Sequence, residues 1–310
     1  MTKTLSQEII KQHIIHRHEN LLLDSITIPD PKHFSGNLSL SIQKKDPLNR
    51  NIFLKEHSHE SIVLQTPILM EILALASIVV SGKLKKDEMV IFAAISNFQA
   101  VSHYLANTLL SGKVNRVNAK NNFLKYKGEL YQAENIIASG EMTAFFTQTS
   151  HTNTPEKTSF NVPTKEIGTI KKHNRHKVAE MIIIDTLYDT NEDIISSYTY
   201  PDHHPLIRGH FPGNPLMMGV MQWMSLEDTL CAYLEDKKLT GINTWQCDAA
   251  MFNQHGHKIA DIKSVTLKSW INDPSTPNQT EIQATKRINF RTMVKPNDTL
   301  YTVISNLKKT

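Results

Sequence analysis

The sequence is poor in cysteine and has no long apolar segment. Its two cysteines, Cys231 and Cys247, lack CxxC spacing, which argues against a disulfide framework and against a cysteine-based zinc site. Free thiols predict a reducing compartment. The longest apolar stretch, residues 67–80, is 14 residues long and contains a glutamate. A membrane-spanning helix needs ~20 apolar residues, so no membrane span is predicted.

The sequence also lacks a strong excess of either positive or negative charge. The chain has 34 Lys+Arg against 30 Asp+Glu, a net charge of +4, and no long basic block. This balance argues against a nucleic-acid partner and would suit a small acidic one. The first twenty residues are polar and lack the apolar core of a signal peptide. We therefore expect a cytoplasmic protein.

A change of composition near the middle divides the chain. Residues 151–164 are rich in Ser, Thr, Asn and Pro and show no periodicity, as is typical of a linker. The linker separates an N-terminal domain, 1–150, from a C-terminal domain, 165–310. Two segments of similar size suggest an internal repeat.

Both halves predict the same order of elements: two strands, a polar loop, an apolar helix and three strands. The helices are predicted within residues 67–80 and from Met218 onward. Residues 240–260 are predicted as a long connection after the second helix. The strand-like runs after the helices are Val90–Phe98, Val114–Lys127 and Asn135–Phe146, then Lys263–Ile271, Glu281–Asn289 and Thr299–Leu307. The predicted class is α+β, with an antiparallel sheet wrapped around a central helix in each half.

The sharpest local signal is the segment GHFPGNP, residues 209–215, which leads into the second helix. Its glycines and prolines hold His210 just ahead of a helix N-terminus. The first N–H groups of a helix have no intrahelical partner and carry partial positive charge. Such groups suit a polarised carbonyl or an oxyanion.

The segment GHFPGNPLMMGVMQ resembles the active-site loop of the hot-dog 3-hydroxyacyl-acyl-carrier-protein dehydratases. The ending DTLYTVISNLKK also resembles a strand of this family. Met218 stands where the family usually has proline. The resemblance implies two tandem hot-dog domains, each with a sheet around a central helix.

The family's catalytic carboxylate lies fourteen residues after the histidine, but here that position is Met224. Glu227 and Asp228 lie about one turn further, where a solvated helix face is expected. The first half contains a better candidate, Glu71, in an apolar helix fourteen residues after His57. A buried carboxylate is costly unless it is paired or protonated.

Family members build each site across a two-fold interface, so the resemblance implies two unequal sites. His210 and Glu71 form a complete pair. His57 and Met224 form a degenerate site without an acid, and Thr66 stands where the second half has Gly219. His57 and its neighbour His59 are expected to be structural or vestigial.

The resemblance implies dehydration of a 3-hydroxyacyl thioester to a 2-enoyl thioester in fatty acid or polyketide-type synthesis. His210 is the expected base, Glu71 the expected acid, and the Gly219 N–H the expected donor to the thioester oxygen. Phe211 and Gly213 complete the substrate-binding loop. No metal or redox cofactor is expected. The substrate is expected on the phosphopantetheine of an acyl carrier protein or coenzyme A, and the chain as a monomeric pseudo-dimer or a homodimer.

Two other functions stay open. The Met224 substitution also fits a non-catalytic hot-dog protein that binds acyl chains or a partner. The segments HRHENLLLDSI and PILMEILALAS faintly resemble the A-factor-type repeats of γ-butyrolactone synthases, which condense acyl groups. The intact HFPG loop favours dehydration.

Overall fold

Two apolar helices organise the chain, each packed against antiparallel strands. The computed structural model describes residues 2–58, 61–84, 88–148, 160–172, 176–190 and 192–310. Its α-helices are α1 (Gln7–Ile10), α2 (Ile68–Ser81) and α3 (Gly219–Asp236). No helix in these ranges is long and apolar enough to cross a membrane.

The strands of the first half are β1 (Lys3–Ser6), β2 (Ser25–Ile28), β3 (Ser35–Leu40), β4 (Leu54–Ser58), β5 (Ser61–Leu64), β6 (Glu88–Ala100), β7 (Leu110–Lys120), β8 (Phe123–Gln132) and β9 (Asn135–Gln148). Those of the second half are β10 (Glu166–Thr169), β11 (Thr186–Tyr188), β12 (Ile194–Thr199), β13 (Gly241–Asn253), β14 (Lys258–Ile271), β15 (Gln279–Phe290) and β16 (Thr299–Lys309). Strands β4 and β5 form a separate ribbon.

The other strands form one 14-stranded sheet that runs through both halves. The order is β1-β2-β3-β7-β8-β9-β6 in the first half and β15-β14-β13-β16-β12-β11-β10 in the second. The halves meet where β15 pairs with β6, from Ala284 opposite Gln99 to Asn289 opposite Ala94. The predicted α+β class, with an antiparallel sheet around a helix in each half, is confirmed.

The two halves differ in the order in which the chain fills the sheet. After α2 the chain enters β6, the strand at the junction, whereas after α3 it enters β13, the third strand from the junction. The hairpin β13–β14 therefore occupies the positions that β8 and β9 occupy in the first half. The second half is a permuted version of the first, with its inner hairpin moved forward in the sequence.

Two predictions about strands are wrong. Residues 240–260 are not a long connection, because β13 occupies most of them and alternates buried residues with more exposed ones. Small and polar residues such as Ala249 and Asp248 obscure that alternation in the sequence. The run predicted as one strand over Val114–Lys127 contains parts of β7 and β8, which turn at Asn121 with a left-handed φ of 53°.

The helix α2 is buried on every face from Ile68 to Val80, as expected for a helix that is apolar all round. Glycines on the sheet allow this close approach. A Cβ at Gly128 would lie 2.6 Å from a methyl of Leu73. From the other helix, Trp223 packs edge-on against Phe98 of the first half, with ring centroids 4.9 Å apart. The two halves thus share one core.

The predicted linker lies largely outside the described residues, since the description resumes at Phe160. The Phe160 ring stacks on Phe252 at 4.3 Å, on the outer face of the second half's sheet. The boundaries 1–150 and 165–310 stay a prediction.

Candidate active site

The HFPG loop sits on the first half of the chain, against residues 16–20. Arg17 N–H donates to the Gly209 carbonyl at 2.9 Å. The Asn20 side-chain amide donates to the Leu206 carbonyl at 3.1 Å, and Arg208 pairs with the buried Glu19 at 2.9 Å. These contacts fix His210, the next residue, relative to the first half.

Gly209 is required for this docking. A Cβ there would overlap the Arg17 carbonyl oxygen and lie within 2.5 Å of the Asn20 side-chain nitrogen. We expect Gly209→Ala to lower the free energy of unfolding by about 1–3 kcal/mol, the usual cost of overpacking. Urea unfolding measures this. Gly168→Ala is the control, because a Cβ there meets nothing within 4 Å, and equal effects of both variants would contradict the prediction.

His210 is buried and held by a backbone carbonyl. Its Nδ1 lies 2.7 Å from the Leu216 carbonyl oxygen. A carbonyl can only accept, so Nδ1 carries the proton and Nε2 of the neutral ring is left as a free base. Burial lowers the pKa of His210 to about 4. The ring is therefore neutral at ordinary pH.

Phe211 and Gly213 take the two left-handed positions of the loop. Phe211 has a φ of 55°, which is uncommon for a bulky residue and points to a constrained site. Its buried ring packs edge-on against His210, with centroids 4.7 Å apart. Gly213, with a φ of 84°, is exposed and has open space around its Cα. Phe211 borders the histidine, Gly213 lies at the exposed turn of the loop, and the substrate-binding role expected for both stays a prediction.

Glu71 reaches the same place from α2. Its side chain is buried, and burial raises its pKa to about 7. Ligating atoms of Glu71, His210 and a third residue, His16, all lie within 4.8 Å of one another. The structure thus brings together the two residues that the sequence paired across the halves.

His16 is the member of this cluster that sequence reasoning missed. Its Nε2 lies 4.0 Å from Glu71 Oε1, and its ring is 5.1 Å from that of His210. Burial, with the nearby His210 and Arg17, lowers the pKa of His16 well below its ordinary value. A 4.0 Å gap between two polar atoms accommodates one bridging oxygen at hydrogen-bond distance from both. The only sequence signal was the histidine-rich run HIIHRH.

The two helix N-termini differ in their free donors. At α3, Met221 and Gln222 both donate to the Met218 carbonyl, whereas the N–H groups of Gly219 and Val220 have no partner among the described residues. At α2 the first donors are all used. They bond from Ile68 to Gln65, from Leu69 to Thr66 and from Met70 to Pro67, at 3.0–3.1 Å. Of these two termini, the one at α3 has backbone donors that the described residues leave available for a ligand.

The predicted degenerate site differs from expectation. Met224 is fully buried in the core, and His57 lies against a carboxylate, Glu281 of β15, at 3.4 Å. The expectation that His57 has no acid beside it is therefore wrong. His103 and Lys55 complete this cluster. The fourteen-residue spacing between histidine and carboxylate could not predict Glu281, because Glu281 belongs to a strand far away in the sequence. His59 lies outside the described residues.

The expectation of a solvated face at Glu227 and Asp228 is also wrong, because both are buried. Asp228 pairs with Lys177 at 2.8 Å and accepts a hydrogen bond from Ile183 N–H at 2.7 Å. Glu227 accepts from Ile282 N–H at 2.8 Å, and burial raises its pKa to about 7. These carboxylates tie α3 to its surroundings.

Comparison with known proteins finds likeness in three-dimensional structure only. No protein-family model and no curated protein sequence matches the chain. The dehydratase domain of the CurF module of curacin polyketide synthase is 11% identical, with a TM-score of 0.48 over 87% of this chain and 98% of that domain. The CurK dehydratase domain of the same synthase is 12% identical, with a TM-score of 0.43 over 89% of this chain and 92% of that domain.

The strands and helices of the chain themselves form two hot-dog-like halves, each with antiparallel strands around one apolar helix, joined in one sheet. The dehydratase heterocomplex ApeI:P from Xenorhabdus doucetiae is also similar, at 14% identity, with a TM-score of 0.39 over 46% of this chain and 92% of that one. Likeness at this level carries no reaction from one protein to another.

Proposed function

We propose that this double hot dog dehydrates a 3-hydroxyacyl thioester to a 2-enoyl thioester at one composite site between its halves. The observation that carries the proposal is the meeting of His210 and Glu71, from separate halves, in one buried cluster. A neutral imidazole and a protonated carboxyl are the base and acid that the reaction needs. Burial shifts the pKa values of His210 to about 4 and Glu71 to about 7, and so favours these two forms.

In the proposed reaction, Nε2 of His210 removes the proton from the carbon next to the thioester carbonyl. The electron pair of that C–H bond forms the new double bond as the C–O bond to the hydroxyl breaks. Glu71 gives its proton to the departing oxygen, which leaves as water. The proton on His210 then returns to Glu71 through solvent or the bound water, and the cycle closes without a co-reactant.

His16 contributes a second polar contact for the leaving oxygen. A hydroxyl between His16 Nε2 and Glu71 Oε1, which are 4.0 Å apart, can accept from one group and donate to the other. The lowered pKa of His16 keeps its ring neutral. His16 therefore adds no positive charge beside His210 when His210 takes up the proton. Its proposed role is to position the hydroxyl beside the acid.

The N-terminus of α3 is the proposed binding site of the thioester oxygen. The N–H groups of Gly219 and Val220 have no hydrogen-bond partner within the described part of the chain, and the helix dipole adds partial positive charge. Negative charge develops on this oxygen as the α-proton leaves, so these donors stabilise the transition state more than the substrate.

The proposed substrate arrives on the phosphopantetheine arm of an acyl carrier protein or on coenzyme A. The chemistry requires no metal or redox cofactor at His210 and Glu71. The net charge of +4 is compatible with an acidic carrier. One such site per chain agrees with a monomer that contains its own pseudo-dimer, or with a homodimer of such chains.

A direct assay tests the proposal. The full chain is incubated with 3-hydroxyacyl thioesters of coenzyme A and of N-acetylcysteamine, with short, medium and long chains, and enoyl thioester is followed by absorbance and mass spectrometry. Enoyl formation supports the proposal. Acyl binding without turnover at any chain length would instead support the non-catalytic protein. Release of free thiol with acyl transfer to a second substrate would support the condensing enzyme.

The pH dependence of turnover is a second prediction. Activity needs His210 neutral and Glu71 protonated, so kcat should be highest between the two pKa values, about 4 and about 7. It should fall below the lower value as His210 gains a proton, and above the upper value as Glu71 loses one. Initial rates from pH 3.5 to 9 measure this. A rate that rises steadily through pH 7 to 9 would contradict Glu71 as the acid.

A further inference from the structure

A second cluster of titratable side chains lies between the two halves, around His57, and the proposed dehydratase reaction does not use it. His57 lies on β4, His103 between β6 and β7, and Glu281 on β15 of the second half. Ligating atoms of the three all lie within 4.8 Å of one another. Three separate elements from both halves thus place two imidazoles and one carboxylate together.

The distances are close to those of a metal-binding site. His57 Nδ1 lies 3.4 Å from Glu281 Oε1, and His103 Nε2 lies 2.7 Å from Glu281 Oε2. Metal–ligand bonds of about 2.0–2.1 Å in tetrahedral geometry place neighbouring ligand atoms about 3.3 Å apart. The first distance ends at Oε1, the oxygen that Lys55 also contacts, and it places the His57 ring about one ligand–ligand separation from the carboxylate. The second is a hydrogen bond that lengthens when a metal replaces the shared proton.

Buried polar atoms at this location lack hydrogen-bond partners. His57 Nδ1, Glu281 Oε1 and Lys55 Nζ are all buried, and none makes a hydrogen bond of acceptable geometry with the described residues. Buried polar atoms in native proteins are nearly always paired. Lys55 lies 2.6 Å from Glu281 Oε1 and neutralises part of the carboxylate charge. His57 Nδ1 lies 3.4 Å from the same oxygen but makes no hydrogen bond of acceptable geometry with the described residues.

The cluster opens onto a cleft. The cleft has a volume of about 220 Å³ and is lined by His57 and His103 together with polar side chains that include Ser61, Ser102 and Gln132. Side-chain exposures of 20% for His57 and 28% for His103 leave an entry path from solvent. A metal there would keep coordination positions free for water or a small ligand.

We propose that His57, His103 and Glu281 bind one divalent transition-metal ion of the zinc class at the mouth of this cleft. Two imidazoles and a carboxylate suit zinc and its first-row neighbours rather than magnesium or calcium, which prefer oxygen ligands. The metal binds through Oε2 of Glu281, while Lys55 stays beside Oε1. The site is independent of the proposed dehydratase chemistry.

Zinc binding to the metal-free full chain tests the site, by titration calorimetry and by the visible spectrum of the cobalt form. We expect one equivalent to bind, and His103→Ala to weaken binding by more than about tenfold. His203→Ala, at an exposed histidine elsewhere, should bind as the wild type does. His210→Ala should also retain the ion. Loss of binding in His210→Ala but not in His103→Ala would place the metal in the other cluster and overturn the proposal.

Lys55 provides a test with a definite sign. Its ammonium repels a cation bound to Glu281, so Lys55→Met should bind zinc more tightly than the wild type, by about tenfold or more. Circular dichroism checks that this variant is folded. His103→Ala, at a partly exposed side chain, stays informative if Lys55→Met unfolds. The proposal is wrong if the wild type binds no zinc, or if His103→Ala binds zinc as tightly as the wild type. The cluster would then be an ion pair of Lys55 and Glu281 flanked by two histidines.

Discussion

His210→Ala and Glu71→Gln are each expected to lower kcat for enoyl formation by about 10²–10⁴-fold. His210→Ala removes the proposed base, an imidazole whose Nδ1–H is held by the Leu216 carbonyl so that Nε2 is left to accept a proton. Glu71→Gln keeps the size and burial of the side chain but cannot supply a proton. Since the two residues act in one step, the double variant should lose little more than either single variant.

Two matched controls separate catalysis from general damage. Glu227→Gln makes the same chemical change at a buried carboxyl whose pKa is also raised to about 7, but on α3 and away from His210. His13→Ala removes another buried histidine of the first half. Both should keep kcat near the wild-type value. Activity that survives Glu71→Gln, or an equal loss in Glu227→Gln, would contradict the composite site.

Glu71→Met is expected to abolish activity and yet stabilise the protein at pH 8 by about 3 kcal/mol. Glu71 loses its proton near pH 4.5 when unfolded but near pH 7 when folded. The folded state therefore binds more protons between these values, and stability falls as pH rises through this window. Each unit of pKa shift is worth about 1.4 kcal/mol. Methionine avoids this cost and already occupies the corresponding position of α3, at Met224.

Urea unfolding of both proteins from pH 4 to 8 measures this effect. At pH 4 both states of the wild type hold the proton, so the two proteins should differ only by packing. The difference should then grow between pH 4.5 and 7. Glu227 has a similar pKa and gives both proteins the same dependence of stability on pH. Its contribution therefore cancels in the difference between them. Parallel stability curves across this range would show that Glu71 has no raised pKa.

A carboxylate that weakens the fold is the sign of a functional residue rather than a structural one. No lysine or arginine among the described residues pairs with Glu71, and desolvation by burial raises its pKa. Glu281 and Asp228, by contrast, each have a lysine against the carboxylate. Of these three buried acids, Glu71 is the one that the fold leaves free to give up a proton.

Local sequence was sufficient to predict the two apolar helices and the constrained loop that holds His210. The continuous apolar run around Glu71 predicts a buried helix because no polar face is available for solvent. The dense Gly/Pro pattern at residues 209–215 predicts a special backbone because few other residues adopt those angles. The fourteen-residue spacing aligned Glu71 with Met224 in the other half, and the family resemblance then implied that Glu71 belongs with His210 across the halves.

The sequence did not predict contacts between residues that are far apart along the chain. His16 joins His210 only because the N-terminal segment packs under the HFPG loop through Arg17 and Asn20. Glu281 joins His57 only because β15 forms the edge where the halves meet. Nothing in the spacing of these residues predicts either contact.

The sequence by itself determined the two buried helices and the constrained loop at residues 209–215, because these depend on local periodicity and composition, whereas the pairing of His210 with Glu71 was implied only by the resemblance to a family that builds its sites across two halves. Only the tertiary structure decided the order in which the second half fills its sheet, the free donors at α3 and the partners of His57. Those features depend on which strands pair and which groups lose contact with water. Pairing and burial are properties of the whole chain, and no short segment encodes them.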